Sequence, residues 1–351
     1  MKYSHPVIDG HYHILEGWFN HEGQDFAGSA KAYLDSRGFV SLNVCAVPYL
    51  AEYDTDVSNN ILAALCKIRL PGTYAHGGLI YSDDHTPAYS PEEQYRDLME
   101  IGFDGIKMLE TKPSEIRRLS RSMDEPLFEG WFDAIEKGGT HMVWHVADPG
   151  HFWIREYVSQ EFVDRGWFYG DGTYPSKEEI YRQVLTVLER HPSLKITFAH
   201  FFFLGDEPQR LEEIFSKYPN VNVDITPGWE MYAAFGRDPV FWREFFVKYA
   251  DRIGFGTDSG DESAGDPGIP DIVYRFLTTE EEQEIWGIRF GGIALDDGTL
   301  EKILRGNFIR RVGKTPKPVN REALMRYIAK VRHLIRDDEL RGRIDRAAAE
   351  L

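Results

Sequence analysis

Ile8-Asp9-Gly10-His11-Tyr12-His13 lies in the first apolar run of the chain. In an extended strand, side chains alternate between faces, so Val7, Asp9, His11 and His13 share a parity and both imidazoles project to one side. They stand about 7 Å apart along the strand, a separation from which both can reach a single cation. His13 is the nearer of the two to the strand's end.

Further short apolar runs follow the first. Strands are expected at Val7–His13, Phe39–Val47, Tyr74–Tyr81, Phe103–Leu109, His141–Ala147, Lys195–Phe201, Val221–Thr226 and Arg252–Asp258, each bounded by glycine, proline or polar clusters. Their ends recur about every 35 residues, the length of a strand, a helix and two loops. Ser90-Pro91-Glu92-Glu93 and Ser176-Lys177-Glu178-Glu179 each set serine three residues before glutamate, a helix-start signature. Gly138-Gly139 ends the helix that begins near Pro126. Eight alternations without a break in composition favour an α/β fold of the closed (β/α)8 TIM-barrel kind over an open doubly wound sheet. Residues 1–313 are expected to form the barrel. The linker Lys314–Val319 and the helices of Arg321–Leu351 are expected to pack on its outside or at a subunit contact.

Composition narrows the function. With 351 residues, 42% apolar and 28% charged, the chain has the balance of a globular protein with a large core. A net charge of −17 opposes binding to nucleic acid and to anionic membrane surfaces. No stretch approaches the 18 or so apolar residues of a membrane span, and the start of the chain lacks the apolar run of a signal peptide. A cytoplasmic location is therefore expected. The two cysteines, Cys45 and Cys66, form neither a disulfide framework nor a metal-ligand spacing.

In a barrel, the C-terminal ends of all strands surround one opening. His145 closes the fifth strand, His200 the sixth and Asp258 the eighth, so these three can meet His11 and His13 there. The ordered set Ile8-Asp9-Gly10-His11-Tyr12-His13, Val143-Trp144-His145, Thr197-Phe198-Ala199-His200 and Gly254-Phe255-Gly256-Thr257-Asp258 resembles the amidohydrolase superfamily. Within it, the similarity is to the branch of aminocarboxymuconate-semialdehyde decarboxylase-like, amidohydrolase-related proteins. Leu300–Asn307 is similar to that family's last barrel helix, and the likeness spans roughly residues 5–313.

The resemblance implies one divalent metal, usually zinc, held by His11, His13, His145 and Asp258. His200 would be a further ligand or a substrate-side acid/base. Neutral imidazoles suit zinc and leave a position for water, whose pKa the metal lowers, while Asp258 can accept the proton. Lys107 shares parity with Phe103 and Gly105, which aims its ammonium into the barrel, where it needs an anionic partner or a modification. Several superfamily members carry a carbamylated lysine on the fourth strand, whereas this branch is typically mononuclear. A lysine reaching out to solvent is the structural alternative.

The remaining histidines, His5, His21, His76, His85, His151, His191 and His333, read as loop, surface or packing residues, and His141, at a strand's start, as structural. Asp9 either orients a ligand histidine or holds backbone groups. The long segments after the fifth and eighth strands, Asp148–Tyr174 and Ser259–Pro270, are expected to wall the pocket. Phe152, Trp153, Trp229, Met231 and Tyr232, with Tyr49 and Tyr53, serve either as walls or as loop anchors, and Arg155 is the candidate carboxylate clamp. The expected activity is metal-dependent hydrolysis of an amide, lactone or ester of a small polar molecule. Nonoxidative decarboxylation is the alternative and a non-catalytic binding barrel a third reading. No nucleic acid or membrane partner is expected, and a homo-oligomer is compatible with the sequence.

Overall fold

The computed structural model describes residues 3–14, 26–49, 57–228, 230–260 and 268–351. All eight expected strands are present and parallel: β1 (Ile8–Ile14), β2 (Ser41–Ala46), β3 (Tyr74–Gly77), β4 (Gly105–Thr111), β5 (His141–Val146), β6 (Lys195–Phe198), β7 (Val221–Asp224) and β8 (Ile253–Gly254). A ninth short strand, β9 (Ser259–Gly260), pairs with β1, giving the order β8-β7-β6-β5-β4-β3-β2-β1-β9. β8 and β9 belong to one stretch of chain, and between them Phe255 O accepts from Gly10 N and Asp258 N donates to His11 O. The eighth strand therefore pairs with β7 at one end and β1 at the other, which curls the sheet round on itself.

Strand ends differ from the sequence reading. β3 stops at Gly77 and β6 at Phe198, short of Tyr81 and Phe201, because the backbone there leaves the ladder for turns. A register shift between Asp9 and Tyr12 interrupts β1, so the strict alternation assumed there does not hold. Asp9 consequently does not join the two histidines. Its carboxylate accepts from His11 N at 3.1 Å, Tyr33 Oη at 2.7 Å and Thr257 Oγ1 at 2.6 Å, and burial pushes its pKa up to about 6.

The helices between strands bury their apolar faces on the outside of the sheet. Ser176 caps its helix by accepting from Glu179 N, whereas the Ser90 side chain makes no capping hydrogen bond. Gly139 ends the helix Glu129–Gly138 with φ of 58°. The helix Arg321–Val331, after the linker, packs on the helices Pro91–Ile101 and Ser58–Arg69, and Lys330 bridges to Glu93 and Asp97. Like β9, an antiparallel hairpin of β10 (Glu282–Ile285) and β11 (Ile288–Gly291) had no sequence expectation. Its turn, Trp286-Gly287, has both φ values positive, the geometry that matches the twist of a two-residue hairpin. Among the described residues, no helix is long and apolar enough to cross a membrane.

Candidate active site

Both histidines of β1 are fixed from behind through Nδ1. His11 Nδ1 lies 3.0 Å from Asp224 Oδ2 at the end of β7, and His13 Nδ1 lies 3.0 Å from Cys45 O on β2. Carbonyl and carboxylate oxygens only accept, so each Nδ1 carries the proton and each Nε2 a lone pair. The two Nε2 atoms face each other at 3.1 Å. Asp258 Oδ1 stands 2.8 Å from the His13 nitrogen and 3.4 Å from the His11 nitrogen.

Three acceptor atoms in such a triangle repel one another unless positive charge lies among them. Donors about 2.1 Å from one ion at tetrahedral to octahedral angles are roughly 3.0–3.4 Å apart, close to the observed edges. The set of two imidazoles and a carboxylate, with all donor atoms within 4.8 Å of one another, thus fits a divalent metal ion. Burial pushes the His11 imidazole down to about 4, which keeps Nε2 unprotonated at neutral pH. Burial alone would raise the Asp258 carboxyl, but its close approach to the His13, His11 and His200 rings more than offsets this and holds it well below the usual carboxylate range.

Lys107 on β4 is buried and reaches the same point, its Nζ 2.8 Å from His11 Nε2, so it does not extend to solvent. Burial pushes its pKa below the ordinary lysine value. His145 on β5 lines the same cleft as Asp258 but is not among the three whose donor atoms lie within 4.8 Å of one another. Its Nε2 faces Ala147 O at 2.8 Å and Asp148 Oδ1 at 3.2 Å, so the proton sits there and Nδ1 keeps the lone pair. Asp148 is itself held by Tyr169 Oη at 2.6 Å and Lys112 Nζ at 3.2 Å.

His200 packs on His145 with ring centroids 4.8 Å apart, and its Nε2 lies 3.9 Å from Asp258 Oδ2. Burial pushes its pKa down to about 4. The residue opens a left-handed turn, His200–Phe203, with φ of 55°, 56°, 59° and 48°. Left-handed backbone costs roughly 1–2 kcal/mol per residue without glycine. Two features offset that cost: Phe202 stacks on Phe198 at 3.9 Å, and His200 N donates to Asp224 Oδ1 at 2.9 Å and to Thr226 Oγ1 at 3.1 Å.

A cleft of about 580 Å³ opens over this group. His145, His200 and Asp258 are among the residues lining it, together with Phe152, Phe162, Trp167 and Trp286, and with Lys112 and Arg165 as its cations. The described lining includes neither Arg155 nor Tyr232. Arg155 is spent on Val158 O and Gln160, while Tyr232 is fully buried, donates to Ile225 O and packs on Phe276 and Phe290. Trp153 is tied to Pro175 O and Tyr49 to His85. Trp229, His21 and Tyr53, like residues 261–267 of the loop after β9, lie outside the described residues. His141 has the structural role read for it, bridging His76 Nε2 at 2.9 Å and Thr197 Oγ1 at 2.8 Å.

Sequence reasoning missed Asp224, Asp148, Arg165 and Trp286. Asp224 had a readable signal, an acid closing a strand, as Asp258 was read. The other three reach the cleft through loop and hairpin geometry that no periodicity encodes.

A parallel sheet curled round on itself, with an H-x-H pair on the first strand and an aspartate after the eighth, defines a barrel with a candidate metal centre. The amidohydrolase family model matches residues 8–312, and the chain belongs to that family. No curated protein sequence matches the chain. Among solved structures, it is similar to a probable 2-pyrone-4,6-dicarboxylic acid hydrolase from Acinetobacter baumannii, with 12% identity, 88% of this chain and 99% of that one covered, and a TM-score of 0.53. It is also similar to 5-carboxyvanillate decarboxylase from Sphingomonas paucimobilis, with 15% identity, 88% and 98% covered, and a TM-score of 0.52. A third is 2,6-dihydroxybenzoate decarboxylase from Rhizobium, with 15% identity, 89% and 99% covered, and a TM-score of 0.51. At such identities the likeness is one of fold.

Proposed function

We propose that the chain is a metal-dependent hydrolase that cleaves an amide, lactone or ester bond in a small, carboxylate-bearing molecule. The observation that carries this reading is the triangle of His11 Nε2, His13 Nε2 and Asp258 Oδ1 beside an open cleft. One divalent ion, zinc by preference, would be held by His11, His13 and Asp258, with His145 adding its Nδ1. When bound, such an ion acts as a Lewis acid and acidifies water.

The chain's own groups supply the remainder. Asp258 is ionised, about a third of its side chain is exposed, and it takes the proton from the attacking water. His200, whose Nε2 lies 3.9 Å from Asp258 Oδ2, relays that proton to the leaving group. Lys107, unmodified, orients water or substrate beside His11. Arg165 pairs with Glu161 across one turn of an exposed helix. Such a pair is worth about 0–1 kcal/mol, so the guanidinium can exchange Glu161 for a substrate carboxylate.

The second reading is nonoxidative decarboxylation of an aromatic acid. Five aromatic walls, Phe203 among them, beside two cations favour it, since they suit a planar carboxylated ring. A panel of carboxylated lactones, esters and aromatic acids separates the two. Acid or alcohol release without bicarbonate supports hydrolysis, and bicarbonate release from an aromatic acid replaces it with the lyase.

A further inference from the structure

Away from the barrel mouth, a buried imidazole faces three carboxylates. Glu129, Asp133 and Glu136 lie on one face of the helix Glu129–Gly138, and His191 ends the helix Lys177–Arg190 opposite. The His191 side chain is 3% exposed, yet neither ring nitrogen makes a hydrogen bond. Its Nε2 lies 3.3 Å from Glu129 Oε1, while its Nδ1 lies 3.6 Å from Asp133 Oδ1 and 3.4 Å from Glu136 Oε2.

Each carboxylate is steadied through its other oxygen. Asp133 Oδ2 accepts from Lys137 at 2.9 Å, Glu136 Oε1 accepts from Ser193 N at 2.7 Å, and Glu129 Oε2 lies 3.5 Å from Arg190. One oxygen of each is thereby left turned to the ring. Like charges three and four residues apart disfavour a helix unless something between them is positive. Charge-assisted hydrogen bonds are usually about 2.7–2.9 Å, so a shared proton fits these gaps poorly. Cis ligands of one metal ion stand roughly 3.0–3.4 Å apart, a range that the 3.4 Å gap to Glu136 meets and the 3.6 Å gap to Asp133 slightly exceeds. A ring that turns one nitrogen to a carboxylate and the other to a cation is the usual setting of a metal-bound histidine.

We propose that His191 Nδ1, Asp133 and Glu136 form a second site for a divalent transition-metal ion, with Glu129 orienting the ring. The mixed nitrogen and oxygen donors suit a zinc-like ion over calcium, and water completes the shell, since Asp133 is 44% exposed. The ion staples the helices that flank β5, the strand of His145, and His191 stands one ring from that strand through Phe132 and Trp144. Its role is structural and independent of the proposed activity.

The test is zinc stoichiometry by equilibrium dialysis of the full chain against a Asp133→Asn, Glu136→Gln double variant, with thermal melts in zinc and in chelator. Both substitutions keep the side chain's size and an oxygen acceptor, the one Glu136 offers to Ser193 N included, and remove repulsion, so folding is retained. The expected result is one fewer zinc per chain in the variant, and loss of the part of zinc's thermal stabilisation that the wild type shows. Repeating the pair in a His11→Ala, His13→Ala background keeps the outcome separate from the barrel-mouth site, since the difference of one zinc should persist. Equal stoichiometry and equal melting shifts in the two proteins would overturn the site.

Discussion

Asp258 does two things with two oxygens. Oδ1 completes the triangle with His11 and His13, while Oδ2 faces His200. Asp258→Asn keeps an oxygen for the ion but removes the base, so turnover should fall at least ~100-fold at matched metal occupancy, measured by steady-state kinetics on the identified substrate. Activity within a few-fold of wild type would remove Asp258 from the proton path. Asp224 works one atom further out, fixing the His11 ring through Nδ1 and the backbone of His200. Asp224→Asn should weaken metal affinity about 10–100-fold in a competition titration with a zinc chelator, the usual scale for a partner of a ligand histidine. Unchanged affinity would mean that the ring is held by packing alone.

The close approach of the first and eighth strands sets the position of His11 at the scale of elements. A Cβ on Gly256 would lie 2.8 Å from His11 Cβ and 2.7 Å from Thr226 Cγ2. Gly256→Ala should therefore cost about 1–3 kcal/mol in urea unfolding through overpacking, and weaken the metal site as His11 moves. A variant of wild-type stability and affinity would show that the strands can part there at no cost. The eight strands were legible because each is a short apolar run between turn residues, and the candidate site because His11, His13, His145, His200 and Asp258 stand where such runs stop. The ninth strand was not, since Ser259-Gly260 pairs with β1 only once the sheet has curled. Nor was the hairpin of β10 and β11, whose alternation of exposed Glu282 and Glu284 with buried Gln283 and Ile285 spans four residues. Tyr232 and Arg155 were read from position in a loop, and neither core burial nor a local hydrogen bond can be seen from position.

Over the whole molecule, the sheet brings residues from 11 to 258 to one point because the ends of its strands share one rim. The central claim is that this point holds a single metal ion with Lys107 unmodified. An ammonium 2.8 Å from His11 Nε2 adds positive charge there, whereas a carbamate would add negative charge and call for a second ion. Crystals of the zinc-loaded full chain, with anomalous differences collected at the zinc edge, test the claim directly. The account predicts, at the barrel mouth, one anomalous peak about 2.0–2.2 Å from His11 Nε2, His13 Nε2 and an Asp258 oxygen, with a bare Lys107 side chain. Two peaks bridged by density on Lys107 would contradict the single-ion account, and no peak at the triangle would contradict the metal centre itself.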